Sequence, residues 1–342
     1  MMIDKDLQTD AYDYKLPKEL IATTPVTPAD SARLLVYNRV DDTITHTVFR
    51  ELLEFIPKSS AIFLNDTRVI KARLFGQKPS GGKVELLVIK PLADNRFVAM
   101  IKGRVKVGTL LQFQQNLEAK VVELSSDGSR IVEFFQNGKQ LNFEELITIL
   151  EEIGHIPLPP YMNREDTKED AKNYQTLFAK NSGSVAAPTA SLHFTPELLK
   201  QLKSEFPTYT LTLHVGAGTF KPVEVEEITK HPMHSEYYNI PKDAQELIES
   251  DQKILAVGTT VTRTIEYYAR TKEPNGECDL FLHPHNKPLR VDYLLTNFHL
   301  PKSTLIMLVS AFLGRDKTLK LYNEAIKKGY RFYSYGDAML II

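Results

Sequence analysis

Three histidines sit in short segments built mainly from small and hydroxylated residues: His193 near the end of Ser184–Thr195, His214 within Leu213–Phe220, and His299 within Leu295–Pro301. Histidine titrates near neutral pH and can give or take a proton. Ser184–Thr195 carries almost no charge, and Pro188 makes it a poor core helix. Thr195, Pro196 and Glu197 then read as an N-cap, a proline at the first helical position and an acidic first turn. A helix over 198–206 is expected from them. His193 would lie where a small-residue loop meets the positive end of that helix, which suits an anion or a carbonyl oxygen. A tight interdomain turn around a buried histidine would carry the same pattern.

Other segments share this texture. Asn65, Asp66 and Arg68 lie in Leu64–Val69; Gly216, Gly218 and Thr219 follow His214; Gly258, Thr259, Thr260 and Arg263 lie in one run. Thr296 and Asn297 precede His299, and Asp337 lies in Tyr335–Met339. Several such segments in one chain are expected to converge as loops on a pocket. Gly216-Ala-Gly218 is no dinucleotide fingerprint, because Lys221 stands at the third glycine position and Pro222 follows. Two glycines there would instead let the backbone approach a ligand closely. Gly258–Thr260 before a helix offers N–H groups and hydroxyls to an anion, or is simply a well-capped turn. Arg263 could clamp a carboxylate with two parallel hydrogen bonds. No metal is expected: Pro232 disrupts the His231/His234 pair, and Cys278 has no second cysteine beside it. Cys278 reads as a small core residue.

The elements that must position these residues fall into two textures. Short strand candidates from about Ile62 to Phe143 are separated by Gly81-Gly82, Asp94-Asn95, Asp127-Gly128 and Asn137-Gly138. Such turns and spacing predict a small antiparallel barrel or sandwich. Ala32–Tyr37, Leu211–Val215 and Ile254–Val257 read as strands, and 261–270 as a helix with Ile265 and Tyr268 on one side. Strand–loop–helix units predict a layered α/β domain with sites beyond the carboxyl ends of its strands. The expected organisation is a discontinuous α/β domain, 1–61 and 154–342, with a small antiparallel β-barrel inserted over 62–153.

The 342 residues carry a net charge of −1 and 42% hydrophobic residues, an ordinary globular composition. The single cysteine excludes an internal disulfide framework. No apolar run reaches membrane-spanning length and the first residues lack a signal-peptide layout, so no membrane and a cytoplasmic location are expected. Charge is segregated, however. Ten basic residues and two acids lie between Arg68 and Lys106. That imbalance suggests a polyanion partner, although outward lysines on edge strands would look alike.

Taken together, Gly183–Ala190, Leu192–Thr195, His214–Phe220, Val257–Thr260, Thr296–Ser303 and Tyr335–Leu340 resemble one family. It is the S-adenosylmethionine:tRNA ribosyltransferase-isomerases, the epoxyqueuosine-forming enzymes of queuosine biosynthesis. Tyr14–Ala22, Leu64–Val69 and Ile156–Tyr161 fit as well, so the likeness runs from about Tyr12 to the C-terminus. The resemblance implies that S-adenosylmethionine is consumed as a ribosyl donor and that no cofactor is needed. The acceptor it implies is 7-aminomethyl-7-deazaguanine in a tRNA anticodon, with adenine and methionine as leaving products. It also implies an α/β domain with an inserted barrel. Ser191, Cys278 and His285 depart from the family's usual residues, which bears on local loop shape.

Such a reaction needs a base at the ribose 5′ carbon beside the sulfonium, an acid for adenine, and donors for ribose oxygens. His193, His214 and His299 are the candidate catalytic residues. Arg263, Thr259 and Thr260 are candidates for the methionine carboxylate or ribose hydroxyls, and Asn297, Asn65 and Asp66 for ribose or base. Asp337 could neutralise the sulfonium or the aminomethyl ammonium. Pro188, Thr189, Phe194, Thr195, Gly216, Gly218, Thr219, Gly258 and Thr296 complete the expected pocket. Lys71, Arg73, Lys102, Arg104 and Arg68 are candidates for tRNA phosphates, Arg68 alternatively for the pocket. An S-adenosylmethionine-dependent RNA methyltransferase would share both substrates but needs a Gly-rich loop not found here. A non-catalytic tRNA-binding protein would bind without turnover.

Overall fold

The computed structural model describes residues 4–216, 218 and 223–342. In chain order, β1 (Arg33–Asn38), β2 (Thr43–Val48), α1 (Leu52–Phe55) and β3 (Ser60–Asn65) are followed by β4 (Thr67–Val69). Next come β5 (Arg73–Gln77), β6 (Lys83–Pro91), β7 (Arg96–Lys102), β8 (Leu110–Gln112), β9 (Leu117–Leu124), β10 (Arg130–Gln136) and β11 (Lys139–Gln140). Two helices, α2 (Phe143–Ile153) and α3 (Asp170–Asn173), lead to β12 (Asn181–Ser184) and α4 (Pro196–Glu205). The chain continues through β13 (Thr208–Leu213), β14 (Glu236–Asn239), α5 (Lys242–Ile248), β15 (Lys253–Val257) and α6 (Thr259–Thr271). It closes with β16 (Asn275–Cys278), β17 (Tyr293–Asn297), α7 (Thr304–Leu313), α8 (Arg315–Lys327) and β18 (Ala338–Ile341). Two compact units result: Met1–Thr67 with Gln175–Asn181 and Pro188–Ile342, and Arg68–Tyr174 with Ser182–Ala187.

The first unit is built on a nine-stranded sheet in the order β16-β14-β13-β3-β15-β17-β18-β1-β2. Its centre is parallel: β3 pairs in parallel with β13 and β15, and β15 in parallel with β17. All six residues of β3 are buried, and its run Ala61–Leu64 is continuously apolar, as a strand covered on both faces requires. On one face, Leu198, Leu199 and Leu202 of α4 pack with Ile62, Leu64, Leu255 and Leu295. Burying each such side chain contributes about 1.5–3 kcal/mol. The expected start of α4 is present: the Thr195 hydroxyl accepts from Leu198 N–H at 3.2 Å, with Pro196 in first position. A second cluster joins α7 and α8 to β17, β18 and β1 through Phe298, Met307, Tyr322 and Met339. Helix α6 buries Val261, Ile265 and Tyr268, spaced for one face of a helix.

The second unit contains the barrel. β10, β7, β6, β5, β8 and β9 are hydrogen-bonded in sequence, and β9 returns to β10. The pairings are antiparallel, so six strands close on themselves and β11 adds to β10. Closure removes the exposed edges that short strands would otherwise present. The hairpin signals act as read. Asp94 and Asn95 both have positive φ between β6 and β7, as do Asn137 and Gly138 between β10 and β11. The barrel had been expected to begin at 62, yet β3 is a central strand of the large sheet. Its apolar run suits either architecture, and only its parallel partners assign it. The second unit likewise continues past 153, through α3 to Tyr174. Among the described residues, no helix is long and apolar enough to cross a membrane.

Candidate active site at the strand ends

Because β13, β3, β15 and β17 are parallel, their carboxyl ends share one edge of the sheet. His214 follows β13, Asp66 follows β3, Gly258–Thr260 follow β15, and His299 lies two residues past β17. β18 is antiparallel to β17, so Asp337, just before β18, reaches the same edge. The next strand of the parallel set after β3 is β13 on one side, whereas β15 leads to β17 on the other. The strand order therefore reverses between neighbouring β3 and β15. Open α/β sheets bind ligands at such a crevice, where diverging connections leave room above the strand ends.

Polar side chains lock the two lips of this crevice. Asn65 Nδ2 donates to Leu213 O at 2.9 Å and to Thr260 Oγ1 at 3.2 Å. Its Oδ1 accepts from the N–H groups of Leu213 and Thr67, at 3.0 and 3.1 Å. Asp66 Oδ1 accepts from Thr212 Oγ1 at 2.6 Å and Asn181 Nδ2 at 3.1 Å. Buried polar groups satisfied in this way are rigid, and rigidity is what a catalytic constellation needs. Gly258 has φ +100°, a conformation that favours glycine, and it turns the chain directly into α6. The first N–H groups of that helix have no intrahelical acceptor and point out of its positive end.

His214 follows β13, whereas His193, between the Thr189–Ser191 turn and α4, reaches Asn297 at the end of β17, three strands away in the sheet. His214 Nδ1 lies 2.7 Å from Thr67 Oγ1, and its ring stacks with Tyr237 at 5.9 Å. Burial lowers its pKa, partly offset by Asp66. His193 is deeper. Asn297 Nδ2 lies 3.1 Å from its Nε2 and 3.5 Å from Asp337 O, while Thr189 Oγ1 donates to Asn297 Oδ1 at 3.1 Å. A backbone carbonyl only accepts, so the amide NH2 faces it and also donates to Nε2. His193 is thereby assigned the tautomer with its proton on Nδ1. Burial, with Arg331 nearby, lowers its pKa to about 4, so it is neutral at pH 7.

His299 is differently placed. Its Nε2 lies 2.9 Å from Thr296 Oγ1, its N–H donates to Tyr322 Oη at 3.2 Å, and its carbonyl accepts from Tyr14. Burial takes its pKa down to about 3. Its Nε2 and its backbone N–H and carbonyl hold the turn after β17 against the aromatic core. Other candidate side chains have partners that the sequence does not reveal. Phe194 is core, edge-on to Phe49 at 5.1 Å. Arg263 is no open carboxylate clamp: Nη1 donates to Glu236 Oε2 at 2.5 Å, Nε to Leu280 O at 3.0 Å and Nη2 to Cys278 O at 3.3 Å. Glu236 Oε1 accepts from Gly216 N–H at 2.8 Å, so the pair holds Gly216 in place. Asp337 is neutralised within the chain, 3.4 Å from Arg33 Nε and accepting from the N–H groups of Arg33 and Arg331. On the barrel unit, Lys71 and Arg68 pair with Glu151, and Arg73 with Glu85 at 2.7 Å. Lys102 and Arg104 remain exposed there.

Pro188 begins the turn Thr189–Ser191, which places Thr189 on Asn297 and buries Ser191. A Cβ at Gly218 would meet the His234 ring at 2.2 Å, so this glycine is a steric requirement. Thr219 lies outside the described residues. Sequence reading missed Thr67, Asn181, Thr212 and Glu236. Thr67 stood inside a segment already singled out, and Glu236 beside the tested histidine pair. Nothing local marks Asn181 or Thr212. Among the described residues, Asp4, Asp6 and His285 are the group whose possible ligand atoms lie within 4.8 Å of one another, and two of the three are exposed.

Known proteins match this chain over nearly all of its length. The family model described as "Queuosine biosynthesis protein" matches residues 9–341. An S-adenosylmethionine:tRNA ribosyltransferase-isomerase of Aliarcobacter butzleri is 66% identical, over 98% of this chain and 99% of the relative. One from Campylobacter jejuni strain RM1221 is 60% identical, over 99% of this chain and all of the relative. A crystal structure of S-adenosylmethionine tRNA ribosyltransferase from Thermotoga maritima is 34% identical, with a TM-score of 0.53, covering 97% of this chain and 99% of that one. With near-complete coverage at such identity, the chain belongs to the queuosine biosynthesis protein family of S-adenosylmethionine:tRNA ribosyltransferase-isomerases.

Proposed function

We propose that this protein transfers the ribosyl group of S-adenosylmethionine to 7-aminomethyl-7-deazaguanine at the tRNA wobble position. The ribosyl group is isomerised to the epoxycyclopentane of epoxyqueuosine, and adenine and methionine are released. The observation that supports this reading is the match to the family over residues 9–341, with His214 held by Thr67 past β13 and His193 held by Asn297 at the end of β17.

His214 is the proton acceptor in this reading. Its Nδ1 is held by Thr67, and among the described residues Nε2 has no hydrogen-bond partner. A lowered pKa keeps it unprotonated at pH 7, ready to take a proton from the carbon beside the sulfonium. His193, held by Asn297, presents Nδ1–H as a neutral donor to a ribose oxygen or to the departing adenine. A neutral imidazole in such a role avoids placing a second cation near the sulfonium. The start of α6, with Thr259 and Thr260, receives the methionine carboxylate or ribose hydroxyls. Asn65 keeps Thr260 in place. His299, Arg263 and Asp337 act as positioning residues.

The test is incubation with S-adenosylmethionine and tRNA carrying 7-aminomethyl-7-deazaguanine, read by mass spectrometry. Epoxyqueuosine with adenine and methionine is the expected outcome. S-adenosylhomocysteine would indicate methyl transfer instead. Unchanged nucleosides with bound tRNA would sink the enzyme assignment.

A further inference from the structure

The barrel carries a cleft that the strand-end chemistry does not use. β5 and β8 pair through one residue couple, Gln77 with Gln112, whereas neighbouring ladders are longer. The opening beside this weak seam has a volume of about 980 Å³, within the range of ligand sites, and Phe75, Gln77, Lys83, Gln112, Phe113 and Asn137 line it. Phe75 is 40% exposed, a high value for a large aromatic side chain. Its ring is held in place: Arg73 lies over it at 4.9 Å and His155 meets its edge at 5.0 Å. Gly76 is needed beside it, because a Cβ there would sit 2.5 Å from the Phe113 ring.

The surroundings are rich in cations, although Glu118 is in the lining and Glu85, paired with Arg73, lies opposite Phe75. The β5–β6 turn supplies Lys78 and β6 begins at Lys83; Lys102 ends β7 outside the cleft lining, opposite Glu85, which in turn lies opposite Phe75, and Arg104 and Lys106 follow it. Lys78 donates to Arg104 O, which joins the two segments at one end of the barrel. Lys83, Lys102, Arg104 and Lys106 are exposed. Aromatic faces, amide side chains and lysines together match an unpaired nucleotide: a base stacks, its edge meets amides, and its phosphates meet lysines.

Resting on the tRNA reading above, we infer that this barrel cleft binds an unpaired nucleotide of the tRNA, stacked on Phe75 with its phosphates at Lys83 and Lys102. The experiment measures binding of unmodified tRNA to the full chain by fluorescence anisotropy across a salt series, with turnover measured separately. Phe75→Ala is expected to weaken tRNA binding about 5- to 150-fold, and Phe75→Tyr to retain it. The Lys83→Ala/Lys102→Ala double variant is expected to flatten the log–log salt dependence by about 0.7 per lost contact. Both sites lie on the surface, and thermal melting verifies that each variant is folded. Wild-type affinity in Phe75→Ala would overturn the inference, even if the lysine variant binds weakly, because the lysines would then act alone. tRNA binding without turnover would refute the enzyme assignment and leave the cleft standing; turnover with a silent Phe75→Ala would do the reverse.

Discussion

The strand ends of the α/β unit and the cleft of the barrel unit use opposite physics. At the strand ends, Asn65, Asp66, His193 and Asn297 are almost wholly buried, and each is held by named partners. On the barrel, Phe75, Lys83, Lys102 and Arg104 are exposed. A buried polar network fixes geometry to a fraction of an ångström, because a misplaced member leaves an unsatisfied group. An exposed cationic surface tolerates variation, and its attraction is screened by salt. The proposed function uses this contrast, with chemistry in one unit and affinity in the other.

The sharpest way to break that contrast is His214→Ala. Turnover should fall about 10²–10⁴-fold while tRNA affinity stays unchanged. A loss of affinity with kcat intact would merge the two roles. Next in size is Arg263→Met, which leaves Glu236 buried without its cation. Chemical denaturation should show a loss of about 3–5 kcal/mol. Replacing Glu236 by Gln in the same chain should recover part of it, since no charge is then stranded.

A gentler test uses acid. His193 and His299 have folded pKa values of about 4 and about 3, below the 6.5 of an unfolded histidine. The unfolded chain therefore binds more protons as pH falls from 6.5, and the native state loses stability over that window. Between pH 7 and pH 5 each histidine should cost about 2 kcal/mol, measurable as a fall in denaturation midpoint. His299→Gln should reduce that acid sensitivity. Neutralising Lys102 on the barrel should leave it unaltered, which would sharpen the division between the units.

Much of this was legible before any coordinates. The Thr195 cap, the hairpin turns at Asp94-Asn95 and Asn137-Gly138, and the helix after Gly258 follow from local rules that need no tertiary partner. The segments carrying His193, His214 and Asn65 stood out because a chain rarely spends so many small polar residues near strand ends without use. What misled was side-chain allegiance. Arg263, Asp337 and Phe194 look available in the sequence, yet Glu236, Arg33 and Phe49 hold them. Those partners lie 27, 304 and 145 positions away, and no local pattern connects them.

By itself, then, the sequence determined the local elements, the segregation of positive charge and the set of segments that could hold a ligand. These depend on backbone preference, periodicity and composition, all properties of neighbouring residues. Only the tertiary structure decided that β3 lies between β13 and β15, and hence where the crevice opens. It also decided which partners hold each histidine: Thr67 for His214, Asn297 for His193 and Thr296 for His299. Strand order and burial arise from contacts between distant segments, chosen by how well their faces pack and how fully their polar groups are paired.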